Sequence, residues 1–368
     1  MDFDLSDDQR LIKDSVERLV ADRYGFEQRK AILAQPDGWS REMWAQMAEL
    51  GLLGVSFAED HGGFGGGPVE TMLIAEAFGR GLVVEPYLAT VVLGAGLLRH
   101  AGSAEQQAAY LPAVAEGRLL LAFAHHERTA RYDLAHVKTT AHGHDGVWYL
   151  DGAKSLVLHG DVADKVIVSA QTGAGIGLFV VDGKGLEKRA YPTQDGMRAA
   201  DIVFDHTQAE AILTEDGFGA ITRTVDEAIA FLCAEAVGCM DEMQTITVDY
   251  LKTRKQFGRA IGEFQVLQHR AVDMLVNLEQ ARSMAMFATM MSGEADEAVR
   301  APAISAAKVQ IGRSGRAVGQ EAVQLHGGIA MTMEYKVGHY FKRMTMIDRM
   351  FGDVETHLAR VAAAPSLI

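Results

Sequence analysis

The stretch QLHGGIA, residues 324–330, sets two adjacent glycines inside what reads as a long helical tail. Each costs roughly 1 kcal/mol against alanine in a helix interior. The pair implies that something approaches this backbone too closely for a side chain. A second glycine-rich stretch, HGGFGGG at 61–67, could cradle a phosphate. No Lys-Ser/Thr pair follows it and no strand clearly precedes it, so a flexible turn before a helix over 69–79 is the better reading. Six histidines crowd the middle of the chain: His125, His126, His136, His142, His144 and His159. Their spacings match no familiar zinc pattern and no cysteine joins them, which reads as solvated loop histidines. Taken alone, Arg254 and Arg259 in TRKQFGR are surface charges and Phe257 is a core aromatic.

The elements that must position these residues fall into three segments. The chain has 368 residues, too many for one simple core. Residues 1–118 read as helices. Ser6 with Gln9 makes a capping-box pattern, and Leu11, Ile12, Val16, Leu19 and Val20 share one helical face. A second helix starts near Ser40 and stops at Gly51. Residues 119–215 carry short β-rich runs at 147–150, 155–158, 165–169, 178–181 and 202–204, with Asp151-Gly152 as a tight hairpin signal between the first two. Residues 216–368 return to helical periodicity, over 226–253, 261–292, 301–326 and 335–363, which predicts an antiparallel four-helix bundle. The fold class is therefore mostly α with an antiparallel β-domain between two helical domains.

Composition narrows the function. A net charge of −14 leaves no basic surface for nucleic acid or an anionic membrane, although one basic pocket for an anionic ligand remains open. No run reaches the ~18 apolar residues of a membrane span. The acidic opening MDFDLSDDQR lacks a signal peptide's basic region. Cys233 and Cys239 sit in an apolar helical run and read as buried thiols, which fits a reducing cytosol. A cytoplasmic protein is expected.

TRKQFGRAIGEFQVLQHRAVDM at 253–274, placed beside QLHGGIA about seventy residues later, resembles the acyl-CoA dehydrogenase family. The resemblance spans essentially the whole chain, through SDDQR, EDHGGFGGG, LDGAKSLVLHGDVADKVIVSA and YFKR. It implies that the Gln-x-x-Gly-Gly stretch lies against the FAD of a neighbouring subunit. Arg254 matches the arginine that faces the FAD pyrophosphate, where a guanidinium fork suits paired phosphate oxygens. Phe257 and Gln265 match positions flanking the cofactor, and Gln324, Gly327 and Gly328 complete the set. Ala330 replaces the usual glycine. The implied reaction is α,β-dehydrogenation of an acyl-CoA thioester, with a carboxylate taking the α-proton.

Neither place where the family puts that carboxylate holds one. Twenty-seven residues beyond Gln324 stands Phe351, and twenty-six before Arg254 stands Ala228. Asp353 and Glu227 are the nearest candidate bases, but on a helix a shift of one or two positions turns a side chain by roughly 100° or 200°. Glu235 lies seven residues from the second place. The flavin-facing half is altered too. AHHERTARYDLAHVKTTA at 124–141 stands where the family has Thr-Glu-Pro-x-x-Gly-Ser-Asp, and Leu156-Val157-Leu158 where it has Trp-Ile-Thr. Motifs serving a neighbour's FAD are kept, while those for an own flavin and base are degraded. The resemblance thus implies the non-identical subunit of a heterotetramer, most similar to the small subunit of the heteromeric bacterial pimeloyl-CoA dehydrogenase type. Electron-transfer flavoprotein is the implied acceptor. A self-sufficient homotetramer using Asp353 or Glu227 is the alternative. A flavin monooxygenase, which needs no base, and a cofactor-free assembly protein are weaker readings.

Overall fold

A computed structural model describes residues 4–364 of the chain. The first three residues of the acidic opening lie outside it. The order of helices, sheet and helical bundle expected from the sequence is the order found. Ser6 closes its capping box on α1 (Asp7–Arg23), accepting from Gln9 N–H while the Gln9 side chain accepts from Ser6 N–H. Then come α2 (Phe26–Leu33), α3 (Arg41–Glu49) with Ser40 as N-cap, and α4 (Pro68–Gly81). A π-helical turn (Leu88–Gly94) leads into α5 (Ala95–Ala101), followed by α6 (Ala104–Ala115). The HGGFGGG loop folds onto its own chain: Gly65 N–H donates to Phe57 O and Gly66 N–H to Val55 O. Those two donors are therefore not held open for a phosphate.

The central sheet has eight strands: β1 (Leu121–Ala124), β2 (Thr140–His144), β3 (Val147–Leu158), β4 (Lys165–Gln171), β5 (Ile176–Asp182), β6 (Glu187–Pro192), β7 (Arg198–Gln208) and β8 (Ala211–Thr214). Their order is β6-β7-β3-β2-β4-β5-β8, with β1 paired parallel to β4 and the other long pairings antiparallel. Alternate residues such as Leu150, Val157, Val166, Val168, Phe179, Ile202 and Phe204 build its apolar core. The hairpin expected at Asp151-Gly152 does not exist. β3 runs through it as one twelve-residue strand, and Gly152 (φ 149°) marks a bulge, where the register to β7 shifts between Leu150 and Gly152. A Cβ there would sit 2.6 Å from Thr139 Oγ1, so this glycine serves a close approach rather than a turn.

The bundle comprises α7 (Phe218–Thr253), α8 (Gln265–Ser292), α9 (Glu297–His326), α10 (Lys336–Arg349) and α11 (Val354–Ala363). A small hairpin, β9 (Lys255–Gln256) and β10 (Arg259–Ala260), joins α7 to α8. α9 packs against α8, α10 and α11. The single fourth helix expected over 335–363 is two helices. The chain breaks after Met350, with Phe351 at φ 59° and Gly352 at φ 126°. Lys308 on α9 stabilises the break: its buried Nζ donates to the carbonyls of Ile347, Asp348 and Met350, the otherwise orphaned end of α10.

The described residues form two compact units. One holds residues up to 30, 68–83 and from 229 on. The other holds 31–67 and 84–228.

Candidate functional site

Arg254 follows α7 directly, its N–H still donating to Tyr250 O at 2.8 Å. The β9–β10 hairpin then turns on Phe257 (φ 55°) and Gly258 (φ 81°). Two positive φ values in a two-residue loop match the primed turn favoured by strand twist. Phe257 is a costly residue there, since a side chain in this region is strained. It is also 90% exposed, with an edge-on ring contact to Phe264 at 6.1 Å. Phe257 is therefore not the core aromatic its type suggests. Arg254 and Gln265 are exposed as well, and among the described residues none pairs with the Arg254 guanidinium.

The glycines of QLHGGIA are not inside an α-helix; they open a short 3₁₀ turn, Gly327–Met331. α9 ends at His326, and Gly327 caps it with φ 67° and ψ −145°. The helix-interior penalty therefore does not apply. Gly327 is fixed by its backbone angle, which a Cβ resists. Gly328 carries no such constraint, and a Cβ on either residue would meet nothing within 4 Å. Among the described residues, none outside the local chain occupies the place where a side chain at 327 or 328 would stand. Gln324, Gly327 and Gly328 are exposed. The two motifs meet through tilted ring contacts: the His326 ring centroid lies 4.5 Å from that of Tyr250, one turn before Arg254, and 5.1 Å from that of Tyr335. The structure thus places Arg254, Gln324, Gly327 and Gly328 at one end of the bundle, with Phe257 on the hairpin that follows Arg254 and Gln265 at the start of α8.

The candidate bases are tied up. Asp353 is the N-cap of α11, accepting from Thr356 N–H (3.0 Å) and Oγ1 (2.8 Å) through Oδ1 and from Arg349 through Oδ2 (3.1 Å). The Thr356 N–H foremost, with Arg349 in support, holds its carboxyl below the ordinary value. It also sits in the break between α10 and α11, so helical rotation does not decide where it points. Glu227 accepts from Arg99 (2.9 Å), His100 (2.8 Å) and Arg223 (3.4 Å). Burial would raise it, but His100 and Arg99 outweigh burial and hold it at about 2. Glu235 makes a two-pronged pair with Arg343, at 2.6 and 2.7 Å, both side chains buried. A general base works best with a pKa near the working pH, and Asp353 and Glu227 are both shifted away from it. Phe351 is half-buried in the break and Ala228 is fully buried in α7.

In the altered 124–141 segment, Glu127 was not singled out by sequence. It accepts from Lys138 N–H, Thr139 N–H and Oγ1, and Lys154 Nζ (2.9 Å). Lys154 also donates to His125 O and Ser169 Oγ, which uses all three ammonium donors. Burial draws Lys154 down to about 8, so it stays charged at neutral pH. Burial alone would raise Glu127, but Lys154 and the Thr139 and Lys138 N–H groups hold it at about 2. The spacing of Glu127 to Lys154 carries no periodic signal, because the two meet only through sheet pairing. The stability Glu127 adds is complete above its ordinary 4.5 and drains away as pH falls toward 2. Glu127→Gln is expected to lower the melting temperature at pH 7 and to flatten its fall between about pH 4.5 and 2. Parallel thermal melts across that window check this, and identical slopes for the two proteins would refute it. Two of the six histidines are not solvated either. His159 is buried and donates to Val84 O, while His125 packs on Phe123 and bonds Ser169 Oγ, burial pushing it down to about 3.

Leu156, where the aromatic of Trp-Ile-Thr is missing, sits at φ 53° with its N–H on Tyr191 Oη (3.2 Å) and Asp201 Oδ1 (3.3 Å). Asp201 also accepts from Arg128 and Arg189. This corner of the sheet is closed by its own side chains.

Comparison with known proteins gives one family along the chain. Residues 6–118 match the acyl-CoA dehydrogenase N-terminal domain, 122–207 the middle domain and 215–365 the C-terminal domain. A relative in Bacillus subtilis (strain 168), the probable acyl-CoA dehydrogenase YngJ, is 27% identical, with all of both chains covered. A variant of the Tcur3481-Tcur3483 steroid ACAD superposes with a TM-score of 0.89 at 28% identity over 96% of each chain. PigA with FAD and proline superposes with a TM-score of 0.89 at 26% identity over the whole of both chains. Among the described residues, no helix is long and apolar enough to cross a membrane.

Proposed function

Since the chain belongs to the acyl-CoA dehydrogenase family, we propose that it is the non-identical subunit of a FAD-dependent, heterotetrameric acyl-CoA dehydrogenase. In this reading it completes FAD sites formed mainly by a catalytic partner and contributes no α-proton base of its own. The observation that carries the reading is the open backbone at Gly327 and Gly328. Among the described residues nothing outside the local chain lies within 4 Å of where a Cβ at 328 would stand, and a glycine there suits a dinucleotide lying against it. The exposed Arg254 guanidinium fits the same ligand, a phosphate fork with no competing carboxylate among the described residues. PigA, a relative over the whole chain, is solved with FAD.

Bound FAD supplies the hydride acceptor for α,β-dehydrogenation. This chain's part is to bind and to orient. Arg254 holds the pyrophosphate, Phe257 and Gln265 flank the cofactor, and the Gln324–Gly328 edge admits it. Asp353 and Glu227 keep their carboxylates for a helix cap and an ion cluster. The double designation of the Tcur3481-Tcur3483 relative suits a two-component assembly. The pimeloyl-CoA dehydrogenase small-subunit type, an acyl-CoA substrate, electron-transfer flavoprotein as acceptor and a cytoplasmic location belong to the same proposal.

The first test is the visible spectrum and mass of the chain purified alone, then after co-expression with a neighbouring dehydrogenase gene. A colourless chain alone and a yellow tetramer with the partner support the reading. A yellow homotetramer bleached by an acyl-CoA overturns it in favour of the self-sufficient enzyme. Asp353→Asn separates the two again. It is expected to keep the α11 cap, since asparagine caps a helix about as well as aspartate, and to leave turnover of the assembly within a few fold, whereas a loss of several orders of magnitude with the fold intact would assign the base to this chain.

A further inference from the structure

The proposed FAD edge is built from two segments some seventy residues apart, and one side chain that neither motif explains lies where they join. His326 is the last residue of α9, directly before Gly327, and is 4% exposed. Its Nδ1 is 2.8 Å from Ala322 O, so Nδ1 carries the proton and donates along its own helix. The ring makes tilted contacts with Tyr250 of α7, at 4.5 Å, and with Tyr335, the N-cap of α10, at 5.1 Å. The carbonyl of Ile246, one turn before Tyr250, also faces it, and burial keeps the imidazole below its ordinary pKa.

From this placement we infer that His326 is a positioning residue for the proposed dinucleotide edge, fixing the Arg254 hairpin and the Gly327–Gly328 backbone in one register. Arg254 N–H is bonded to Tyr250 O and Ile261 N–H to Arg254 O, so the base of the hairpin follows Tyr250. Gly327 is bonded through its N–H to the carbonyls of Gln324 and Val323, so it follows the last turn of α9. The tilted Tyr250–His326 ring contact is a side-chain link that ties the first to the second. A ligand touching both segments gains most when neither has to be ordered on binding. Tyr335 is a second ring neighbour that holds the imidazole in place.

The inference rests on the proposed FAD role, and the test separates the two. Hydrogen exchange and thermal melting are measured on the full chain for wild type, His326→Ala and His326→Phe. FAD is then titrated into the flavin-stripped assembly carrying each variant and Arg254→Ala. His326→Ala is expected to speed exchange at 254–262 and 327–331 with the α9 interior unchanged, and to weaken FAD about tenfold, ~1.4 kcal/mol. His326→Phe, which keeps a ring against the tyrosines, is expected to restore most of that affinity. The inference is overturned if His326→Ala leaves exchange and FAD affinity as in wild type. It is equally overturned if exchange rises uniformly with a matching drop in melting temperature, since His326 would then be packing alone. Arg254→Ala without effect on FAD would sink the FAD role itself. Arg254→Ala weakening FAD while His326→Ala does not would sink only the positioning role.

Discussion

Glu235→Ala is expected to destabilise the chain by about 3–5 kcal/mol, the effect of leaving one charge of a buried pair uncompensated. The Arg343 guanidinium is 4% exposed and directs Nε and Nη2 at the two Glu235 oxygens from α10 across to α7. Without the carboxylate it has no water to turn to. The pair as a whole is a different matter, because both ions lost their hydration on folding and their attraction only roughly offsets that loss. A Glu235→Leu, Arg343→Met double variant is therefore expected to recover most of the stability. Urea unfolding of the two singles and the double makes the comparison, and a coupling energy near zero would show that the pair is not what fixes α7 against α10. The result also bears on catalysis: a carboxylate locked in this fork is not free to take a proton from a substrate.

Arg254→Ala is expected to weaken FAD retention by the assembly ten- to a hundredfold, since a hydrogen bond to a charged partner contributes about 1.5–3 kcal/mol. The folded chain itself is expected to tolerate the change, because the side chain is exposed and pairs with none of the described residues. Flavin content after gel filtration and FAD titration of the stripped assembly read the effect. Melting of the chain alone serves as the control. Unchanged flavin content refutes the assigned role. Arg254→Lys is expected to recover only part of the loss, as an ammonium keeps the charge but not the fork that matches paired phosphate oxygens.

Much of the fold is legible in the sequence, because the signals that specify it are local. Ser6 and Gln9 announce α1, Ser40 starts α3 and Gly51 follows its end, and apolar periodicity marks α7, α8 and α9. The motif residues at the FAD edge are legible as residue types: an arginine before Phe-Gly and a paired glycine after Gln. Errors arise where a local signal has two physical outcomes. Asp151-Gly152 serves a turn or a bulge equally well, and pairing with β7 on one side and β2 on the other makes it a bulge. The apolar period over 335–363 continues across a break that is held by long-range contacts, above all Lys308 reaching from α9 to three carbonyls.

What the sequence by itself determines is the inventory: the order of helical and β-rich segments, that the two expected base positions hold Phe351 and Ala228, and that a glycine pair needs an explanation. Only the tertiary structure decides what each group is free to do. Asp353, Glu227 and Glu235 look alike in sequence, yet their partners are a helix N-terminus, a cation cluster and a buried arginine. Conversely, Gly328 and Arg254 stand open. The reason is the range of the forces involved. Helical period and capping act over a few residues, so they are written locally. A carboxylate's proton affinity and a backbone's accessibility depend on atoms brought within a few ångströms from far along the chain, and those neighbours exist only once the chain has folded.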